Sequence, residues 1–168
     1  MTTKEPSDDG LSTDEIARLR RLLDEDDIRQ LATLYAQYMD HGYVDRLREI
    51  FTDDIVCEYG PYGVWEGIET VITNYEKVKV DLGGSPFAAM HAGSAHWIEF
   101  GSDNTARGRR QLMDFLLTRA PEENPIHWLA MYDDQYRKTE DGWKVCHTRL
   151  QFFWPERHTN DDFPGDFP

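Results

Sequence analysis

Cysteine is scarce in this sequence, positive charge is outnumbered, and no apolar run is long. The two cysteines, Cys57 and Cys146, stand far apart in 168 residues and lack the spacing of a metal site, so neither a disulfide-stapled scaffold nor a cysteine-held zinc is expected. Both lie in apolar, strand-like stretches and read as reduced core residues of a cytoplasmic protein. Lysine and arginine number 18 against 32 aspartates and glutamates, a formal charge of −14, which argues against nucleic acid or an anionic membrane as partner. Much of the acidic excess sits in "KEPSDDG", "DEDD" and "NDDFPGDFP", where it solvates surface and tails. Nothing approaches the roughly 20 apolar residues of a membrane span. The N-terminal "MTTKEPSDDGLSTDE" has no apolar stretch that would make a signal peptide, and no Gly-rich phosphate loop appears.

What is present is enough for one globular domain: 39% hydrophobic and 12% aromatic residues over a length that can bury a real core. The expected domain runs over 11–156, with frayed ends at 1–10 and 157–168. Ser12 is a plausible N-cap for a helix carrying Ile16, Leu19, Leu22 and Leu23, which continues through Ile28, Leu31, Ala32, Tyr35, Tyr38 and Met39 at period 3.6. Gly42 is a natural stop. A short helix at "DRLREIF", a strand at "DIVCEYG" and a third helix at "GIETVITNYEKVK" follow. After Gly83 and Gly84 the pattern becomes long strands at about 88–100, 104–119, 126–139 and 143–154, divided by "GSDN", "APEENP" and "EDG". Helices first and mainly antiparallel strands afterwards make an α+β fold. Strands this long need strong curvature, with helices across the open side, so a cone with an interior pocket is expected.

Three polar residues are oddly placed in this scheme. Asp114 stands in "RRQLMDFLLTRA", on one face with Leu112 and Leu116, although aspartate is depleted in strands. A buried charge is costly unless paired or hydrogen-bonded, so Asp114 is an edge residue in water, a satisfied structural acid or a working group in a pocket. Asp40 lies in the last turn of its helix, where the macrodipole disfavours a carboxylate by ~0.3–1 kcal/mol. His91 lies in "AAMHAGSAH", among small and apolar residues, where a neutral histidine usually has an acceptor fixing one ring nitrogen. Asp40 can be that acceptor. Tyr35 faces the same interior and needs a partner for its phenol if buried. Each residue also has a purely structural explanation, as core, cap or ion-pair partner.

The order of elements, with "LYAQYMDHGYVDRLREIFTDDIV" and "MYDDQYRKTEDGWKV", resembles the SnoaL-like branch of the nuclear-transport-factor-two-like superfamily from about residue 24 to 155. Within it the chain looks most like the bile-acid dehydratases, which carry a tyrosine with an aspartate five residues on, an "MH-x-G" strand start and an aspartate ending a "T-A-x-G-R" strand. Tyr35, Asp40, His91 in "MHAG" and Asp114 in "TARGRRQLMD" match these. Scytalone dehydratase is a looser match: it shares the helix-end aspartate and the strand histidine, and its first-strand tyrosine falls on Tyr59. Its second catalytic histidine and its asparagine find no equivalents, with Gln111 or Arg110 and Tyr132 near those places.

The resemblance implies that Asp114 faces the pocket and that the reaction removes water from a hydroxylated carbonyl compound of steroid, polyketide or aromatic type. His91 would be the base, held by Asp40; Asp114 would protonate or hydrogen-bond the leaving hydroxyl; Tyr35 would donate to an oxyanion, with Tyr59 assisting. Trp65, Phe87, Trp97, Trp128, Tyr132 and Phe152 are candidates to line a pocket for a flat apolar ligand. No cofactor is called for, and no metal: His91 and His96, an odd number apart on a regular strand, should point to opposite faces. A dimer or trimer formed through the exposed sheet face is expected by analogy. The rival functions are an isomerase, a cyclase or a halide-eliminating lyase on the same cone, and a non-catalytic ligand-binding module.

Overall fold

The structure is a computed structural model that describes residues 10–102 and 104–166. Helix α1 (Thr13–His41) opens on a reciprocal cap: Ser12 Oγ accepts the Glu15 N–H at 3.3 Å, and the Glu15 carboxylate accepts the Ser12 N–H at 2.8 Å. It ends at Gly42, whose φ of 74° lets the chain turn left-handed while its N–H returns to the Met39 carbonyl. Only the second half of the apolar stripe is buried, through Ile28, Leu31, Tyr35 and Tyr38. Ile16, Leu19, Leu22 and Leu23 are exposed, because contact with the sheet starts near Arg21 and Asp24, which reach Phe100 and Trp143.

A 3-10 turn at Val44–Glu49 replaces the expected short helix. Strand β1 (Phe51–Glu58), β2 (Val64–Glu66) and helix α2 (Ile68–Asp81) come next, then β3 (Ala89–Phe100), β4 (Thr105–Leu116), β5 (Ile126–Thr139) and β6 (Gly142–Trp154). The sequence pattern missed β2, which at three residues is too short to show a period. The strands form one sheet in the order β2-β1-β6-β5-β4-β3, with β1 parallel to β6 and all other pairs antiparallel. The sheet curls into an open cone with the helices across its concave side, and the core fills the space between them.

The ladder slips at five places, and two of them bear on the cavity. In β3 the register slips between Ser94 and Trp97, where Ala95 takes φ 49°. Between β4 and β5 it slips after Asp114: Asp114 opposes Trp128 and Phe115 opposes Ile126, so His127 is the extra residue. Bulges of this kind re-aim side chains that a regular strand would send to the other face.

Residues 155–166 fold back on the sheet rather than trailing. His158 forms a bridge with Phe152, the Asn160 N–H donates to Gln151 at 2.9 Å, and the Phe163 ring lies 5.6 Å from that of Phe153. The N-terminal tail expected at 1–10 lies, but for Gly10, outside the described residues.

Candidate active site

Along β4 the concave face carries Ala106, Gly108, Arg110, Leu112, Asp114 and Leu116, so the alternation that made Asp114 puzzling turns its carboxylate inward. A cavity of about 230 Å³ opens between this face and the helices. Tyr35, Asp40, His91 and Asp114 all line it, as do Tyr59, Trp65, Trp128, Tyr132 and Phe152. The walls are mostly apolar, with polar groups at a few points, the usual make-up of a small-molecule site.

Asp40 is 6% exposed, and its carboxylate is satisfied by a single residue. His91 Nδ1 lies 2.7 Å from Asp40 Oδ1, and the His91 backbone N–H reaches both carboxylate oxygens at 3.0 and 3.3 Å. A carboxylate only accepts, so a proton sits on Nδ1, and in the neutral imidazole Nε2 then carries the lone pair. The side chain of His91 is 15% exposed. Its ring stands edge-on to Tyr35, with centroids 5.9 Å apart.

Four phenols run through the same region as one hydrogen-bonded chain. Tyr132 donates to Tyr35 at 3.4 Å, the Tyr35 and Tyr75 hydroxyls are 2.8 Å apart, and Tyr75 donates to Tyr59 at 2.7 Å. Each hydroxyl has one proton; since that of Tyr75 goes to Tyr59, Tyr35 must donate to Tyr75. Tyr59 is therefore the terminal donor, next to the Cys57 thiol, whose pKa burial pushes up to about 12. Burial also raises all four phenols well above their ordinary pKa, so they stay protonated donors. Tyr75, on α2, was not picked out in the sequence; its place at i+4 from Val71 reads as plain helix core.

His127 also lines the cavity and was missed. Its Nδ1 lies 3.3 Å from Asp114 Oδ2, while Asp114 Oδ1 is covered and has no hydrogen-bond partner among the described residues. Strand alternation sends neighbours His127 and Trp128 to opposite faces; the bulge brings both inward. Two arginines of β4, the strand of Asp114, take other carboxylates: Arg109 takes Asp133 at 3.1 Å and Arg110 takes Asp134 at 3.2 Å.

A sequence model of the SnoaL-like domain matches residues 20–149. The chain belongs to the SnoaL-like family. An NTF2-like protein with a cystatin-like fold from Novosphingobium aromaticivorans superposes with a TM-score of 0.76 at 20% identity, covering 89% of this chain and 94% of its own. A candidate scytalone dehydratase from the same organism gives 0.69 at 21% identity over 83% and 93%. The hexachlorocyclohexane dehydrochlorinase of Novosphingobium barchaimii gives 0.66 at 17% identity over 85% and 99%. Comparison with curated proteins finds no match.

Beneath the cavity this SnoaL-like domain buries a second polar cluster. Asp134, 1% exposed, accepts from Arg110 Nε, Tyr136 and Thr148. Burial works against the Arg110 charge, but Asp134 and the facing phenols carry its pKa up. The guanidinium lies 3.6 Å over the Tyr132 ring and 5.4 Å from that of Tyr35, where its charge favours both hydroxyls as donors.

Two expectations for β3 fail, both because of its bulge. His96 does not oppose His91 in facing: Nε2 lies 3.1 Å from the inward Tyr136 hydroxyl, over Gly108, where a side-chain carbon would come within 3.3 Å of the ring. Trp97 is displaced to the convex face, paired with Arg109 and under the Arg107 guanidinium, and does not line the cavity. Phe87 likewise lies outside the lining, against His41. Among the described residues no group of three or more His, Cys, Asp or Glu is placed to hold a metal ion, and no helix is long and apolar enough to cross a membrane.

Proposed function

We propose that this protein is a hydro-lyase, a dehydratase that removes water from a hydroxylated carbonyl compound of steroid, polyketide or aromatic type. The observation that carries the reading is the His91–Asp40 pair on the wall of an apolar cavity. Elimination beside a carbonyl needs a base for the acidified C–H, donors for the developing enolate oxygen and a proton for the departing hydroxyl. His91 Nε2 takes the C–H proton, and Asp40 holds the ring and stabilises the imidazolium that forms. Placed acid–base groups of this kind contribute ~10²–10⁴-fold.

Tyr59, the terminal donor of the phenol chain, supplies the hydrogen bond to the enolate, and Tyr35 supports it through Tyr75. The chain of buried phenols is preorganised, so donation costs little reorganisation when charge develops. Asp114 stands on the leaving-group side, in register with His91 on the next strand. That acid side favours hydroxyl over halide as the group lost, since halide departs without a proton. Trp65, Trp128, Tyr132 and Phe152 give the substrate an aromatic wall. Cys57 and Cys146, both free, suit a reducing compartment, and we place the protein in the cytoplasm as a dimer or trimer.

The test is turnover of a panel of β-hydroxy ketones, from 3-hydroxy-1-tetralone to hydroxy-enone steroids, followed by loss of water and by double-bond migration. The expected result is water loss by the wild type and its fall by orders of magnitude in His91→Ala, with the melting temperature kept. Double-bond migration alone would make the protein an isomerase. Ligand binding without turnover by any panel member would make it a binding module.

A further inference from the structure

We propose that His127 is the proton donor of the acid side, working as a second histidine–carboxylate pair with Asp114 opposite the His91–Asp40 pair. The inference rests on the elimination reading and assigns a residue to it that the sequence does not single out.

The ladder places the groups. His91 on β3, Asp114 on β4 and Trp128 on β5 are successive partners in one row across the concave face. A regular β5 would point His127 to the convex side. The extra residue in β5 at this row instead sets its ring on the cavity wall, with Nδ1 3.3 Å from Asp114 Oδ2. A bulge leaves one residue unpaired and disrupts the ladder locally, so its coincidence with the one histidine that reaches Asp114 is a functional arrangement of the chain. His127 is the more open of the pair: its side chain is 33% exposed against 15% for Asp114. Asp114 Oδ1 is covered altogether. The carboxylate is therefore the inner, orienting member, and the imidazole is the one that meets a ligand.

The chemistry balances without any further reagent. Asp114 accepts from Nδ1–H, and Nε2–H of the protonated ring points to the leaving oxygen. As His91 Nε2 takes the C–H proton, the C–H electron pair becomes the new C=C bond and the C–O bond breaks. The leaving oxygen takes the Nε2 proton of His127 and departs as water. His91 ends protonated and His127 neutral, and exchange with solvent restores both.

Leaving-group dependence tests this. Each hydroxy ketone of the panel is compared with its acetate, whose carboxylate departs without a proton. His127→Gln should lower kcat/KM for the alcohol by ~10²-fold or more and leave the acetate almost unaffected, whereas His91→Ala should lower both. Equal losses of His127→Gln on alcohol and acetate, or a loss matched by a lower melting temperature, would overturn the assignment while leaving the His91 base intact. Failure of the wild type on every member would overturn the elimination reading itself. A readout independent of turnover is the ring nitrogen NMR spectrum: a proton on His127 Nδ1, disturbed in Asp114→Ala, is expected, and an unprotonated Nδ1 would overturn the assignment alone.

Discussion

His91 places two donors, its ring Nδ1–H and its backbone N–H, on the one carboxylate of Asp40, across 51 residues of chain. The double attachment explains how an acid survives in the last, electronegative turn of α1. It also ties the first residues of β3 to the helix end, so the base is positioned by backbone and side chain together.

Replacing Asp40 by Asn keeps the shape and removes the charge. The amide can still accept from one donor, but it no longer stabilises an imidazolium or enforces the Nδ1 proton. We expect kcat/KM to fall by ~10²–10⁴-fold, and stability by about 1–3 kcal/mol, since one buried donor or amide proton is left poorly matched. Steady-state kinetics beside urea denaturation separates the two effects; a kinetic loss no larger than the stability loss explains would remove Asp40 from the mechanism.

Tyr75→Phe cuts the phenol chain in its middle. Tyr35 then loses its acceptor and Tyr59 its donor, with no cavity side chain other than the hydroxyl removed. The expected outcome is a drop in kcat with little change in KM, because the enolate forms only after binding, and a loss of about 1–3 kcal/mol in stability from the stranded buried hydroxyls. An unchanged kcat would mean the phenols merely fill the core.

These residues also show how far the sequence could be read. The α1 stripe, the Ser12 cap, the Gly42 stop and the four long strands are written in local periodicity and capping chemistry, and they appear where that chemistry puts them. Asp40, His91 and Asp114 stood out because each breaks its local pattern, Tyr35 was marked by the resemblance although it obeys the helix stripe, and the cone brings all four to one cavity. The misjudged facings on the long strands share one physical origin. Parity along a strand assumes a regular ladder, and a bulge is set by tertiary packing rather than by a local signal. One bulge sent Trp97 outward and His96 inward; the other brought in His127. Tyr75 was invisible for the opposite reason, since it obeys its helix pattern and only the third dimension sets its hydroxyl between two others.

The convex face carries an apolar row in register across four strands: Ala92, Met113, Leu129 and Trp154. Met113, Leu129 and Trp154 are 37–39% exposed, and Met90 adds to them at 38%. A second copy of the chain is the partner expected there. Met113→Glu with Leu129→Lys should shift the protein to a monomer in light scattering at micromolar concentration, with its secondary structure kept. A wild type that is already monomeric would dismiss this interface.

His96 gives a pH dependence whose sign can be worked out. Burial lowers its pKa from 6.5 to about 4, against the pull of the Asp134 charge and helped by the charges of Arg110 and Arg29. The Tyr136 hydroxyl donates to Asp134, so neutral His96 donates its Nε2–H to Tyr136 and has no use for a second proton. The unfolded chain binds a proton at His96 below about pH 6.5 and the folded chain does not until about pH 4. The stabilisation is therefore complete above pH 6.5, declines as pH falls through this window, and levels off below it. His96→Gln keeps a donor to Tyr136 and cannot titrate, so its melting temperature should fall less than that of the wild type between pH 7 and pH 4.5. A difference of about 2–4 °C is what 1 kcal/mol is worth in a domain of this size. Parallel melting curves for the two proteins across that range would show that His96 is charged, or solvated, in the folded state.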